Sequence, residues 1–285
     1  MPLHKRVWWR VGGPADLYAE IGDLAQLAAA RRWAVDRDIP WFLLGNGSNL
    51  LVADAGIRGL VVRLVGALAD ATADATHVEA GAGCRNAVLL ARAERNGWTG
   101  LDAFAGIPGT VGGAVRMNAG SLLGETGDTL VDVDVLLPDG TVKTLSKSAL
   151  ALGYRHCVLP AGATVVRARF QQTAEEPGVV SARIRAFLER RKATQPLDLP
   201  SCGSTFRNPP GDAAGRLIEA AGLKGFRLGG AEVSQKHANF IVNHGDATAN
   251  DIDAVIRHVQ RSVQATHGIA LVPEVERVGE WPSMP

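Results

Sequence analysis

The sequence predicts an α+β protein, and three observations carry that prediction. Apolar runs of strand length recur along the chain, without the regular alternation with helices of a βαβαβ protein. Two of these runs flank Pro138-Asp139-Gly140, which is strong hairpin chemistry. Two glycine-rich stretches, 45–49 and 106–120, lie in the first 120 residues, with a separate C-terminal part beyond them. That layout suggests a ligand held between a front unit and a back unit.

The elements follow in order. Residues 18–21 read as a short strand. Asp23 is a suitable N-cap for an Ala- and Leu-rich helix over 24–37. A brief buried strand, 41–44, runs into Gly45-Asn46-Gly47-Ser48-Asn49. This loop lacks the third glycine of the dinucleotide fingerprint, and no clear helix follows it. Residues 60–64 form another apolar run. A strand at 76–80 and a helix at 86–95 are joined by Gly81-Ala82-Gly83, again without the third glycine, since Asn86 stands in its place. The hairpin strands are 131–137 and 141–145, and 165–171 is a further strand. A helix opens at Glu175 or Glu176, with Pro177 tolerated in its first turn, and runs to Lys192. Its basic end, Arg190-Arg191-Lys192, suits a solvated C-terminus. Residues 194–200 carry two prolines and read as a linker. Beyond it come a helix at 213–221, strands at 231–233 and 239–243, and a long helix at 249–267 closed by Gly268. Strands at 269–272 and 275–278 flank Pro273-Glu274.

Composition narrows the function classes. The chain has 285 residues, 46% hydrophobic and 21% charged, a globular balance that allows sizeable cores. The formal net charge of +1 gives no bulk attraction to nucleic acid or anionic membrane. No apolar run approaches membrane-span length, and the first residues have no signal-like apolar region. Cys84, Cys157 and Cys202 have neither zinc nor disulfide-framework spacing, so a reducing cytoplasm is expected. The seven histidines are scattered, and no metal site is expected. Hydrolase-elbow and Walker motifs are absent.

The stretch 106–120 reads GIPGTVGGAVRMNAG. Its glycines admit close backbone approach, and successive inward N–H groups make an anion concavity. It is either a phosphate or pyrophosphate cradle or a glycine-rich turn between packed elements. Ser204 has no local base, so it is a poor nucleophile. It remains open as a proton donor or a hydrogen-bonding turn residue. Glu274, between two apolar runs, is either a buried functional carboxylate or an exposed edge residue. Arg155 suits carboxylate recognition, though surface arginines are common.

Taken in order, Val11-Gly12-Gly13-Pro14-Ala15-Asp16, LGNGSNLL, GIPGTVGGAVRMNAG, Tyr154-Arg155, PSCGSTFRNPPG, GGAEVSQKHANFIVN and PEVERVG resemble the UDP-N-acetylenolpyruvoylglucosamine reductase family over nearly the whole chain. The resemblance implies an FAD-binding front half of the vanillyl-alcohol-oxidase (PCMH) type in two lobes, over 1–172. A connecting helix and linker at 173–200 and a substrate-binding α+β domain at 201–285 would follow. It implies non-covalent FAD held by Gly45, Asn46, Gly47, Ser48 and Asn49 and by Gly106, Ile107, Pro108, Gly109, Thr110, Gly112, Gly113 and Ala114. Arg155, Ser204 and Glu274 match the catalytic set, and Tyr154, Arg207, Asn208, Lys236 and His237 fall in the substrate site. The implied reaction reduces UDP-N-acetylglucosamine enolpyruvate to UDP-N-acetylmuramate for peptidoglycan. NADPH reduces FAD, and hydride then passes to the enolpyruvyl methylene carbon. Arg155 and protonated Glu274 would stabilise the enolate-like state, and Ser204 would deliver the proton. A cytoplasmic monomer without nucleic-acid or membrane partners is expected.

Two departures stand out. Cys157 occupies the Tyr-Arg-x-Ser position where many relatives carry serine. Gly203 follows Arg155 by only 48 positions, which fits the subtype (type II) without the inserted loop whose tyrosine closes over the substrate. Arg207 or Lys236 would then cover the diphosphate. The competing readings are another FAD oxidoreductase of the same superfamily and a non-catalytic nucleotide-sugar sensor.

Overall fold

The computed structural model describes residues 1–282. The chain forms two compact units that are discontinuous in sequence. One comprises Tyr18–Asn46 and Gly59–Arg191; the other comprises Met1–Leu17, Gly47–Arg58 and the residues from Lys192 onward. The contiguous spans 1–172, 173–200 and 201–285 expected from sequence do not coincide with these units.

The first unit is built on a five-stranded antiparallel sheet. Its order is Val142–Ser146, Leu130–Leu136, Thr164–Gln171, His77–Gly81, Ala71–Ala73. The hairpin is where the turn chemistry put it: Gly140 has φ 86° and the Asp139 carboxylate accepts from the Thr141 N–H. The inner face of this sheet is apolar, with Val133, Val135, Ala168 and Phe170 fully or almost fully buried. Helix Asn86–Asn96 ends at Gly97 in the left-handed region, and helix Leu24–Val35 starts at Asp23, whose carboxylate accepts from the Gln26 N–H at 2.8 Å. Trp41–Leu43 lies parallel to Ile57–Leu64. Helix Pro177–Thr194 closes the unit's sequence, and Arg183 pairs with Asp102 and Glu175 near its start.

The second unit has its own core around Trp9, Leu51, Phe206, Leu217, Ile241 and Val259. Helix Ala249–His267 presents Ile252, Val255, Ile256, Val259 and Val263 to it at helical spacing. Thr248 and Asp251 form a capping box at the start of this helix, and Gly268 closes it. Three links explain why the N-terminal segments belong here. The Trp9 indole N–H donates to the Ile241 carbonyl at 2.7 Å, and the Asn243 amide returns a bond to the Trp9 carbonyl. Leu50–Val52 pairs in parallel with Glu276–Val278. The Asp54 carboxylate accepts from the Ala249 and Asn250 N–H groups at the helix start.

Two sequence expectations change. The glycine stretch is not all loop: Val111–Met117 is a helix, capped by the Thr110 hydroxyl. Glycine lowers helix propensity by about 1 kcal/mol, but packing overrides it here. Residues 269–272 are not a strand; Phe206 and Pro273 form a single antiparallel bridge instead.

Candidate active site

In the first unit Gly45 and Asn46 meet the 106–110 stretch. The Asn46 side-chain amide donates to the Pro108 carbonyl at 3.0 Å, and a Cβ on Gly45 would stand 2.8 Å from the Thr110 hydroxyl oxygen. The 106–114 backbone is largely committed to the protein itself. The N–H groups of Val111 and Gly112 donate to the Cys84 and Ala82 carbonyls; those of Ile107, Gly109, Gly113 and Ala114 are also bonded internally. Gly112 is required by close approach, because a Cβ there would meet the Ala82 Cβ at 2.8 Å. The glycines of this stretch therefore serve packing as much as any ligand. Arg191 departs from the solvated helix end expected: burial lowers its pKa, and its guanidinium donates to the Gly106 carbonyl.

The larger share of uncommitted backbone donors lies in the other loop. Among the described residues, the backbone N–H groups of Gly45, Asn46, Gly47 and Ser48 have no acceptor. Gly47 is buried, and an orphaned buried N–H is a rare, costly feature that a ligand oxygen satisfies. It has φ 63°, and a Cβ would collide with the Arg6 carbonyl at 2.3 Å. In the other stretch only Gly106 and Thr110 retain uncommitted N–H groups among the described residues. Within the first unit, the N–H groups of Gly45, Asn46, Gly106 and Thr110 are donors of the kind that a phosphate of FAD takes.

Arg155 sits in a tight turn closed by reciprocal bonds between Gly153 and His156, with its own backbone left-handed at φ 52°. Its guanidinium donates to the Gly120 carbonyl at 3.0 Å and lies over the Tyr154 ring at 5.0 Å. Tyr154 is half exposed. Cys157, two residues on, packs against the unit's core, and burial raises its thiol pKa.

In the second unit the structure brings together Ser204 and Glu274, which sequence separates by 70 positions. The Glu274 N–H donates to the Thr205 carbonyl at 2.8 Å, and the Arg207 N–H to the Val272 carbonyl at 2.9 Å. The two segments run antiparallel, so Ser204 and Glu274 become neighbours along their backbones. Asn49 joins them: its side-chain amide donates to the Glu274 carbonyl at 3.0 Å, and its own carbonyl accepts from the Glu276 N–H. Ser204 is half-buried, and its hydroxyl has no partner among the described residues. Asn208 is exposed, and its carbonyl oxygen accepts from the Ala214 N–H. Lys236 is exposed and donates to the Lys192 carbonyl. His237 accepts from the Asn239 N–H at 3.2 Å, and burial lowers its pKa, so it is neutral at pH 7.

Sequence reasoning missed Asn239. It is buried, and its side chain brackets Phe206, accepting from that N–H at 2.9 Å and donating to that carbonyl at 2.8 Å. Its own carbonyl accepts from the Thr205 N–H. The only available signal was an amide residue inside an apolar run.

The family model for the FAD binding domain matches residues 15–146, and the model for the UDP-N-acetylenolpyruvoylglucosamine reductase C-terminal domain matches residues 195–278. The UDP-N-acetylenolpyruvoylglucosamine reductase of Synechococcus sp. (strain RCC307) is 48% identical over 285 residues, covering 98% of this chain and 93% of that protein. The chain belongs to the UDP-N-acetylenolpyruvoylglucosamine reductase family. The reductase of Anaeromyxobacter sp. (strain K) is 45% identical over 98% of this chain and 85% of its own length. The crystal structure of the reductase from Thermus caldophilus superposes with a TM-score of 0.86 at 38% identity, over 99% of this chain and 98% of that one. The fold is therefore the α+β reductase fold, an FAD-binding domain followed by the family's C-terminal domain.

Proposed function

We propose that this chain reduces UDP-N-acetylglucosamine enolpyruvate to UDP-N-acetylmuramate, with NADPH as reductant and FAD held non-covalently, as a cytoplasmic, monomeric enzyme of peptidoglycan synthesis. Full-length similarity to named reductases supports the reaction. The observation that carries the residue assignment is the pairing of Ser204 and Glu274 on adjacent antiparallel segments. Among the described residues no helix is long and apolar enough to cross a membrane.

Gly45, Asn46, Gly47 and Ser48 would hold the FAD diphosphate through their uncommitted N–H groups. Bound FAD supplies the hydride drawn from NADPH. Arg155 binds the enolpyruvyl carboxylate and stabilises the negative charge that spreads into it; such donors contribute a few kcal/mol, about 3. Protonated Glu274 donates to the same charge. Ser204 gives its proton to the carbon. A hydroxyl is a weak acid, so this transfer requires the strongly basic centre that an enolate-like carbon provides. The short 156–202 interval supports the subtype without a closing tyrosine loop, with Arg207 or Lys236 covering the substrate diphosphate.

The test is anaerobic. The protein is reduced with NADPH, the enolpyruvyl sugar nucleotide is added, and flavin absorbance is followed. Rapid reoxidation with formation of UDP-N-acetylmuramate is expected, and Ser204→Ala should slow it far more than it slows reduction by NADPH. A flavin that stays reduced after the substrate is added would overturn the substrate assignment.

A further inference from the structure

Asn118 ends helix Val111–Met117 in the left-handed region, at φ 43° and ψ 53°. Asparagine tolerates that conformation better than most side chains. It is 3% exposed, and every polar atom of its side chain is committed. Its carbonyl oxygen accepts from the Gly127 N–H at 2.8 Å. Its amide nitrogen donates to a Glu125 carboxylate oxygen at 2.8 Å and to the Gly153 carbonyl at 3.0 Å. Gly153 begins the turn that carries Arg155, and the Arg155 guanidinium returns to the Gly120 carbonyl, two residues past Asn118. The arginine is thus held at both ends by one short segment: its turn by the Asn118 amide, its side chain by the Gly120 backbone.

We infer that Asn118 is the positioning residue for Arg155, setting the turn at Gly153 so that the guanidinium meets the substrate's carboxylate. This deepens the function proposed above and rests on it. The backbone of Arg155 is itself left-handed, an unfavourable state for an arginine, and it persists only if the surroundings hold it. The Asn118 amide donor to the Gly153 carbonyl and the reciprocal Gly153–His156 bonds supply that hold. A guanidinium displaced by about 1 Å can cost on the order of 100-fold in rate.

Asn118→Asp separates positioning from folding. Aspartate tolerates the left-handed backbone and keeps the acceptor for the Gly127 N–H, but it loses the donor to Gly153 and faces the Glu125 carboxylate. Pairing it with Glu125→Gln restores the contact at position 125 in the reverse sense, so that the remaining change is at Gly153, whose carbonyl loses its donor and faces a carboxylate oxygen instead. We expect both variants to reoxidise the flavin with the enolpyruvyl substrate about 10- to 100-fold more slowly. Reduction by NADPH should stay within about twofold in the same variants. In an Arg155→Ala background, Asn118→Asp should then add no further loss, because residues acting through one group are not additive. Equal slowing of both half-reactions, or a full additional loss without Arg155, would overturn the inference. Hydrogen exchange of the 153–156 amides reads the same link without substrate: it should rise severalfold in both variants, and unchanged exchange would sink the proposal even if the substrate assignment failed. A wild-type flavin left reduced by the substrate, with the expected exchange change, would instead count against the assigned reaction.

Discussion

The side-chain amide of Asn46 donates to the Pro108 carbonyl at 3.0 Å, joining two glycine loops that sequence sets 62 positions apart. The bond places the uncommitted N–H groups of Gly45 and Asn46 beside the 106–110 segment. Asn46→Ala should therefore weaken FAD binding about tenfold, a factor worth ~1.4 kcal/mol. Flavin fluorescence titration checks this; an unchanged Kd would mean the loops hold their arrangement without the bond.

Gly112 stands against Ala82 with no room for a methyl group. Gly112→Ala should destabilise the protein by about 1–3 kcal/mol through overpacking. Because the clash is mainly with the Ala82 Cβ, the pair Gly112→Ala with Ala82→Gly should recover part of the loss. Thermal melts of the three variants decide it, and a pair no better than the single variant would place the constraint on the backbone.

Asn239 brackets Phe206, which is 1% exposed. Asn239→Ala leaves a buried N–H and a buried carbonyl unpaired, each costing about 1–3 kcal/mol. Since the 204–207 segment also carries the bond from Glu274, substrate-dependent flavin reoxidation should fall as stability does. Retained activity in a destabilised variant would separate the two effects.

The three cysteines differ in reach. Burial pushes the Cys202 thiol up to about 12, and it also raises Cys84 and Cys157. At pH 8 the Cys202 thiol is therefore almost wholly protonated. An alkylating reagent should label half-buried Cys157 first, with Cys84 and Cys202 reacting after unfolding. Mass-spectrometric mapping of the labelled sites tests the order.

His237 has a folded pKa lowered by burial from its ordinary value near 6.5. Between the two values the unfolded chain binds more protons, so stability rises with pH there. Stability is thus fully present above about pH 6.5 and declines as pH falls below it. His237→Gln should flatten that decline, and melting midpoints at pH 7.5 and 5.5 should differ less in the variant than in the parent. Identical differences would show that other groups dominate the acid limb.

Much of the chain was legible locally. Asp23 and Gly268 mark helix ends through capping chemistry that involves only neighbouring residues, and Pro138-Asp139-Gly140 specifies its hairpin by backbone conformation alone. The amphipathic spacing of Ala249–His267 is likewise a local pattern. The order of the family's motifs was also readable, since it needs no geometry.

The tertiary structure decided the rest, because those facts depend on contacts between distant residues. Trp9 belongs with Ile241 and Asn243 because its indole is buried there, which no pattern near residue 9 records. Val111–Met117 is a helix despite its glycines because close packing on Ala82 rewards their missing side chains. Ser204 and Glu274 are ambiguous as isolated residues and become a pair only when 204–207 and 272–274 run side by side. Local propensity writes the elements; burial of polar and apolar groups against remote partners selects how they combine.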